Sequence, residues 1–194
     1  IVGFFVGLSS GATVIIAQYY GAHDEKNLQD TLHTAIAFSI VGSFVISILG
    51  IVLSPIILRL MNTPEYLMAD SLLYLRFYFG GIIFIFIYNI GSGILRAVGD
   101  SKNPLYFLIF SCSLNLLLDL LAVTVFSFGV AGIAGATVLA QLISSVLCFL
   151  YLYRNFRFLI PSRRHFSYNK KLVSELVTTG FSMGLMNSIF SIGS

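Results

Sequence analysis

Pro104-Leu-Tyr-Phe-Leu-Ile-Phe-Ser-Cys-Ser-Leu-Asn-Leu-Leu-Leu-Asp-Leu-Leu-Ala-Val-Thr-Val-Phe126 is long and apolar enough to cross a bilayer as a helix, yet it carries a carboxylate well inside. Residues four apart share one helix face, so Ser111, Asn115 and Asp119 form a single polar stripe. A carboxylate in hydrocarbon costs at least ~2.5 kcal/mol. An ion or proton pathway is the first explanation for keeping one there.

The rest of the chain has the same character. Of its 194 residues 57% are hydrophobic and only 10% charged, against about 25% charged in a typical soluble domain. The mean hydropathy is +0.93. These values place the chain among membrane proteins. Cys112 and Cys148 both lie in apolar runs, and neither a disulfide nor a metal site is expected from them. The chain opens at Ile1 within one apolar run and closes at Ser194 within another, so a segment of a longer membrane protein is expected.

Apolar runs divide the chain into helices at about 1–21, 31–58, 67–95, 104–126 and 130–153, the third being a charge-free run from Phe77 to Leu95 with a helical preface before it. A polar loop over 23–30 follows the first, and the turn signals of Asn62-Thr63-Pro64 close the second. A basic linker is expected over 154–173, and a further helix starts over 174–194. Lipid offers the backbone no hydrogen bonds, so each run is read as a helix and the fold class as an all-α polytopic bundle. Nine of the eleven lysines and arginines fall in alternate loops, with only Arg59 and Arg76 opposite, which puts the nine-residue side in the cytoplasm. The linker then reads as a solvated tether facing lipid headgroups, not as a nucleic-acid site. Gly3, Gly7 and Gly11, then Gly132, Ala136 and Ala140, then Gly180 and Gly184, recur every four residues and predict close helix crossings.

Depth along the helices selects the partners of Asp119. At ~1.5 Å per residue, Asp119 lies roughly 14 Å from the outer turn at Phe128, Thr137 roughly 12 Å from it, and Tyr74 roughly 12 Å along from Tyr66. Three helices therefore offer a carboxylate, a hydroxyl and a phenol at similar depth. A desolvated carboxylate resists ionisation and can hold a proton near neutral pH. Alternatively Asp119, Asn115 and Thr137 supply the hard oxygen ligands a sodium ion takes. Plainer roles compete: a snorkelling Asp119, a Thr137 bonded to its own backbone, an interfacial Tyr74. Asn89 is assigned to packing, and Arg96 with Asp100 to capping the cytoplasmic turn through the helix C-terminus. The three histidines have no metal-ligand spacing.

Arg96-Ala-Val-Gly-Asp-Ser-Lys-Asn-Pro104, then Asn115-x-x-x-Asp119, then Gly129-Val-Ala-Gly-Ile-Ala-Gly-Ala-Thr137, resemble multidrug and toxic compound extrusion (MATE) transporters. Gly11-Ala-Thr and Gly21-Ala22 before the acidic loop are similar to their second helix. The resemblance implies twelve helices in two six-helix lobes, of which this chain would hold helices two to six, the inter-lobe linker and much of helix seven. It matches Asn115 and Asp119 to a fifth-helix cation site, Thr137 to a sixth-helix hydroxyl and Tyr74 to a fourth-helix tyrosine. The family's first helix, with its partner carboxylate, has no counterpart here, and Ser182 stands where many members have proline.

The expectation is a multi-pass cell-membrane antiporter, not an enzyme, exporting organic cations or amphipathic drugs by alternating access. Its coupling ion would be H+ or Na+, with no other cofactor. Its partners would be those substrates, the bilayer and the remaining helices of the same polypeptide. A lipid-linked precursor flippase is the alternative within transport, but it should line its cavity with arginines, and none lies deep in a segment here. An intramembrane protease would need a second membrane aspartate or a His-Glu pair. A non-transporting scaffold is the remaining rival.

Overall fold

A computed structural model describes residues 2–125, 128–159 and 170–193, and every regular element among them is helical. The helices are α1 (Val2–Gly21), α2 (Glu25–Leu60), α3 (Glu65–Ala97), α4 (Lys102–Thr124), α5 (Gly129–Asn155) and α6 (Lys170–Gly193). A short 3-10 turn, Arg157–Leu159, follows α5. Among the described residues, α2, α3, α4 and α5 are each long and apolar enough to cross a membrane. Their outer faces carry large apolar side chains such as Phe44, Ile48, Val52, Leu116 and Leu120, as a lipid-facing bundle requires.

Most helix ends shift by a few residues from the sequence reading. Two of the differences matter for the fold, at the start of α2 and at the linker, where α6 already begins at Lys170. Residues 25–30 are not a loop but the first turns of α2. Charge ends a hydrophobic run without ending a helix, so α2 extends beyond the bilayer. At ~1.5 Å per residue its 36 residues span roughly 54 Å, well over the ~30 Å of hydrocarbon. The second difference is at the linker. Helix α5 continues through Arg154 to Asn155, and the 3-10 turn packs back on the bundle with Leu159 only 1% exposed. Residues 160–169 of the linker lie outside the described residues.

The α1–α2 and α3–α4 turns are built alike. In each, a residue in the left-handed region, His23 (φ 55) or Gly99 (φ 91), ends the first helix. The next N–H then reaches back five residues, Asp24 to the Tyr19 carbonyl at 3.1 Å and Asp100 to that of Leu95 at 2.9 Å. The aspartate caps the second helix: Asp24 Oδ1 accepts from the Asn27 backbone N–H, and Asp100 Oδ1 from that of Asn103, both at 3.1 Å. The asparagine amides donate back to the second oxygens at 2.6 and 2.7 Å. Asp100 therefore starts α4 and does not cap the C-terminus of α3 as the sequence suggested. An L side chain in the left-handed region costs roughly 1 kcal/mol. His23→Gly should accordingly raise the unfolding free energy of the complete protein by about that much, read as a higher Tm.

These caps also set an acid limit. The Asn27 hydrogen bonds hold the Asp24 carboxyl below its ordinary value. Partial burial pushes Asp100 up, but hydrogen bonds from Asn103 and Tyr151 outweigh it and leave that carboxyl low as well. A carboxylate more acidic in the folded state stabilises the fold above its unfolded pKa, and the contribution disappears as pH falls through the folded one. The Tm contribution of both caps should be flat from neutral pH to about 5 and fall below about pH 4. Asp24→Asn and Asp100→Asn should each flatten that acid limb in a pH series of thermal melts.

Helix α3 packs on α1, α2 and α5, and α5 in turn packs between α3 and α4. A Cβ placed on Gly81 would lie 2.4 Å from Val138 Cγ2, and one on Gly91 would lie 2.9 Å from Cys148 Sγ. The same ten-residue step on both helices means that α3 and α5 run parallel and in register. Helix α4 packs along α5 in the opposite sense, and α3 and α4 barely touch each other. Since Val138 meets α3 and Thr137 meets α4, the two approach α5 from faces about 100° apart. Helix α6 lies along α1.

Candidate cation site

The polar stripe of α4 faces α5 at its inner end. Ser111 is 4% exposed, while Leu116, Leu117 and Leu120 on the opposite side are open. Asn115 Nδ2 donates to Thr137 Oγ1 at 3.3 Å, and Thr137 Oγ1 donates to the Ile133 carbonyl at 3.0 Å. Thr137 thus makes the backbone bond expected of a helical threonine and also presents a lone pair across the helix interface. Asp119 lies one turn above Asn115. Its Oδ1 is buried, and no hydrogen-bond donor reaches it.

Helix register fixes the relative heights. With Asn115 opposite Thr137, and Ala122 beside Gly132, Asp119 is level with about Ile133 on α5. Tyr74 stands seven residues above Gly81, which puts it level with about Ala131, within roughly 3 Å of the height of Asp119. Height alone does not make contact. Tyr74 stacks on Tyr78 of its own helix at 6.5 Å and is 36% exposed. Since α3 and α4 flank α5 from different faces, Tyr74 and Asp119 stand on two sides of the same helix. The structure joins Asn115 to Thr137, sets Asp119 one turn above them, and leaves Tyr74 across α5.

Asn89 donates to the Ile85 carbonyl at 2.8 Å, so its amide serves its own helix. An outer groove between α4 and α5, with a volume of about 390 Å³, is bounded by Leu118, Leu121, Ala131 and Gly135 among other small or apolar residues. It supplies apolar surface above the polar pair and no charge. Among the described residues no cluster of histidine, cysteine, aspartate and glutamate could hold a transition metal.

The sequence reading missed a polar cluster at the α3–α4 turn. Tyr151 OH donates to Asp100 Oδ2 at 3.1 Å, and Asn103 Nδ2 lies 2.7 Å from that phenol oxygen. Aromatic contacts continue from Tyr151 through Phe156 and Phe158 to Tyr20, and Gln29 Nε2 donates to the Phe158 carbonyl. The cluster ties the start of the linker to the α1–α2 and α3–α4 turns. The Asp-x-x-Asn spacing was the available signal, but it marks a cap and says nothing of a tyrosine 51 residues away.

The MatE family model matches residues 1–121. The chain is 33% identical over 187 residues to the probable multidrug resistance protein YoeA of Bacillus subtilis, which covers 93% of this chain and 40% of that protein. It is 32% identical to the probable multidrug resistance protein YpnP of Bacillus subtilis, over 100% of this chain and 46% of that one. The chain thus spans less than half the length of these relatives. Its fold is also that of a solved inward-facing multidrug resistance MATE family transporter of the MOP superfamily, with a TM-score of 0.89 and 24% identity over 96% of this chain and 42% of that one. The outward-facing conformation of such a transporter matches equally well, with a TM-score of 0.89 over 98% of this chain and 43% of that one, at 24% identity. On the family match and the four apolar helices together, the chain is a multi-pass membrane protein and belongs to the MatE family.

Proposed function

We propose that the chain forms the first lobe, and the start of the second, of a cell-membrane antiporter that exports organic cations or amphipathic drugs. Influx of a proton or sodium ion at Asp119 drives export. One observation carries this reading: in the last third of membrane helix α4 a carboxylate oxygen is buried without a donor, one turn beyond a hydrogen-bonded Asn115–Thr137 pair. A structural aspartate in hydrocarbon is expected to find a permanent partner. An oxygen left open suits an occupant that comes and goes.

Either cation fits the residues. A proton on Asp119 removes the buried charge, while a sodium ion would take oxygens of Asp119, Asn115 and Thr137. Loss of the cation leaves a charge that favours a different helix arrangement, which is how occupancy can bias two states. The first lobe would move as a unit while the two lobes rock around a central cavity. The relatives described as multidrug resistance proteins support the substrate class. The test is efflux of a fluorescent organic cation from proteoliposomes of the complete protein, with a proton gradient alone and a sodium gradient alone. Efflux driven by neither gradient removes the coupling.

A further inference from the structure

A second buried polar feature lies away from Asp119. Helices α1, α2, α3 and α6 enclose a cavity of about 90 Å³ lined by Ser9, Ala12, Ser39, Phe86, Ile90 and Leu176, among others. Ser9 is 7% exposed, and its Oγ is buried with no hydrogen-bond partner. Four other buried helical serines show the contrast. Ser43, Ser54, Ser144 and Ser145 each donate to a carbonyl three or four residues back, at 2.8–2.9 Å. Ser9 instead gives its carbonyl to Thr13 Oγ1 at 2.9 Å and leaves its own hydroxyl unbonded. Counted along α1, Ser9 lies roughly 18 Å from the cytoplasmic end at Gly21, so the hydroxyl sits near the middle of the bilayer. There no bulk water can satisfy it, and an unmade hydrogen bond costs several kcal/mol.

We propose that this cavity is a buried water site at the seam between α6 and the helices of the first lobe. Size selects the occupant: at about 30 Å³ per water it has room for a few waters, and it is far below the 300–1,000 Å³ of a drug pocket. Charge selects it as well, since the wall offers hydroxyls and apolar groups but no carboxylate or base, so the occupant is neutral. Ser9 and Ser39 provide the two polar partners a retained water needs. Leu176 is the α6 residue in the wall, so movement of α6 relative to α1 opens or closes the site.

Radiolytic hydroxyl-radical labelling with mass spectrometry, on the complete protein in lipid nanodiscs, tests this directly because bound water generates the radical in place. Phe86 lines the cavity, whereas Phe79 packs on Gly50, and both are 8% exposed. Phe86 should be oxidised about threefold faster than Phe79 or more, as the ring next to retained water. Ser9→Ala with Ser39→Ala should bring Phe86 down to the Phe79 rate, because an apolar cavity stays dry. Equal rates for the two rings in the wild type overturn the proposal, whatever the variant does. A fast Phe86 that keeps its rate in a double variant melting normally overturns it too, since the water would then come from elsewhere.

Discussion

Asp119→Asn in the complete protein should lower gradient-driven efflux by about two orders of magnitude, equivalent to roughly 2.7 kcal/mol. Asparagine keeps the volume of aspartate but can neither gain nor lose a proton at neutral pH, and as a neutral ligand it holds sodium weakly. The variant therefore resembles the cation-loaded carboxylate and cannot return to the charged state. Stability should move the other way. Oδ1 of Asp119 is buried without a donor, so the substitution removes an unpaired buried charge and should leave Tm unchanged or higher. Drug binding in the absence of a gradient should persist. This combination, with transport lost and folding intact, separates a coupling residue from a structural one. Wild-type efflux by Asp119→Asn under both gradients would end the coupling proposal and favour a scaffold. Thr137→Val supplies the companion measurement: it removes the oxygen facing Asn115 at 3.3 Å and should weaken a sodium-driven cycle more than a proton-driven one.

What the sequence made legible follows from what hydrophobicity reports. Charge-free runs locate the hydrocarbon slab, so the number and order of helices could be read, and Asn115 and Thr137, named together in the sequence, are hydrogen-bonded across α4 and α5. Such runs do not report where helices end, because capping groups act in water. Asp24 extends α2 past the membrane, and the reading placed a loop there. Lateral position was also out of reach. Equal depth put Tyr74 with Asp119, but the faces of α5 that receive α3 and α4 are set by where glycines admit a neighbour, as Gly81 admits Val138. Ser9 was invisible for a third reason. A lone serine in an apolar helix ordinarily bonds its own backbone, and only coordinates distinguish the one that does not.

The second large effect is expected at Gly11. A Cβ there would sit 2.7 Å from both Cα and N of Gly180 and 3.0 Å from the Thr179 carbonyl carbon. Carbon atoms in contact stand at 3.5–4.0 Å, so even alanine must part the two backbones by about 1 Å. At Gly50 or Gly81 the obstructing atoms belong to side chains, Phe79 and Val138, which can shift. At Gly11 the obstruction is main chain on both sides, and the strain must pass into the α1–α6 packing. Overpacking of this kind costs roughly 1–3 kcal/mol for a small insertion, and Gly11→Val should exceed Gly11→Ala. The size of the effect on transport depends on when the contact forms. If α6 belongs to the second lobe, as proposed, the crossing lies between moving bodies. A cost confined to one conformation then shifts the two-state balance by about tenfold per 1.4 kcal/mol. Gly11→Val should then reduce efflux by at least about tenfold while the complete protein still melts cooperatively. Gly80→Ala is the control, because a Cβ at Gly80 meets nothing within 4 Å, and it should transport normally. A Gly11→Val protein with lowered Tm and unchanged transport per folded molecule would make the crossing a static packing contact present in every state. Normal Tm and normal efflux together would mean that α1 and α6 do not approach this closely in the complete protein.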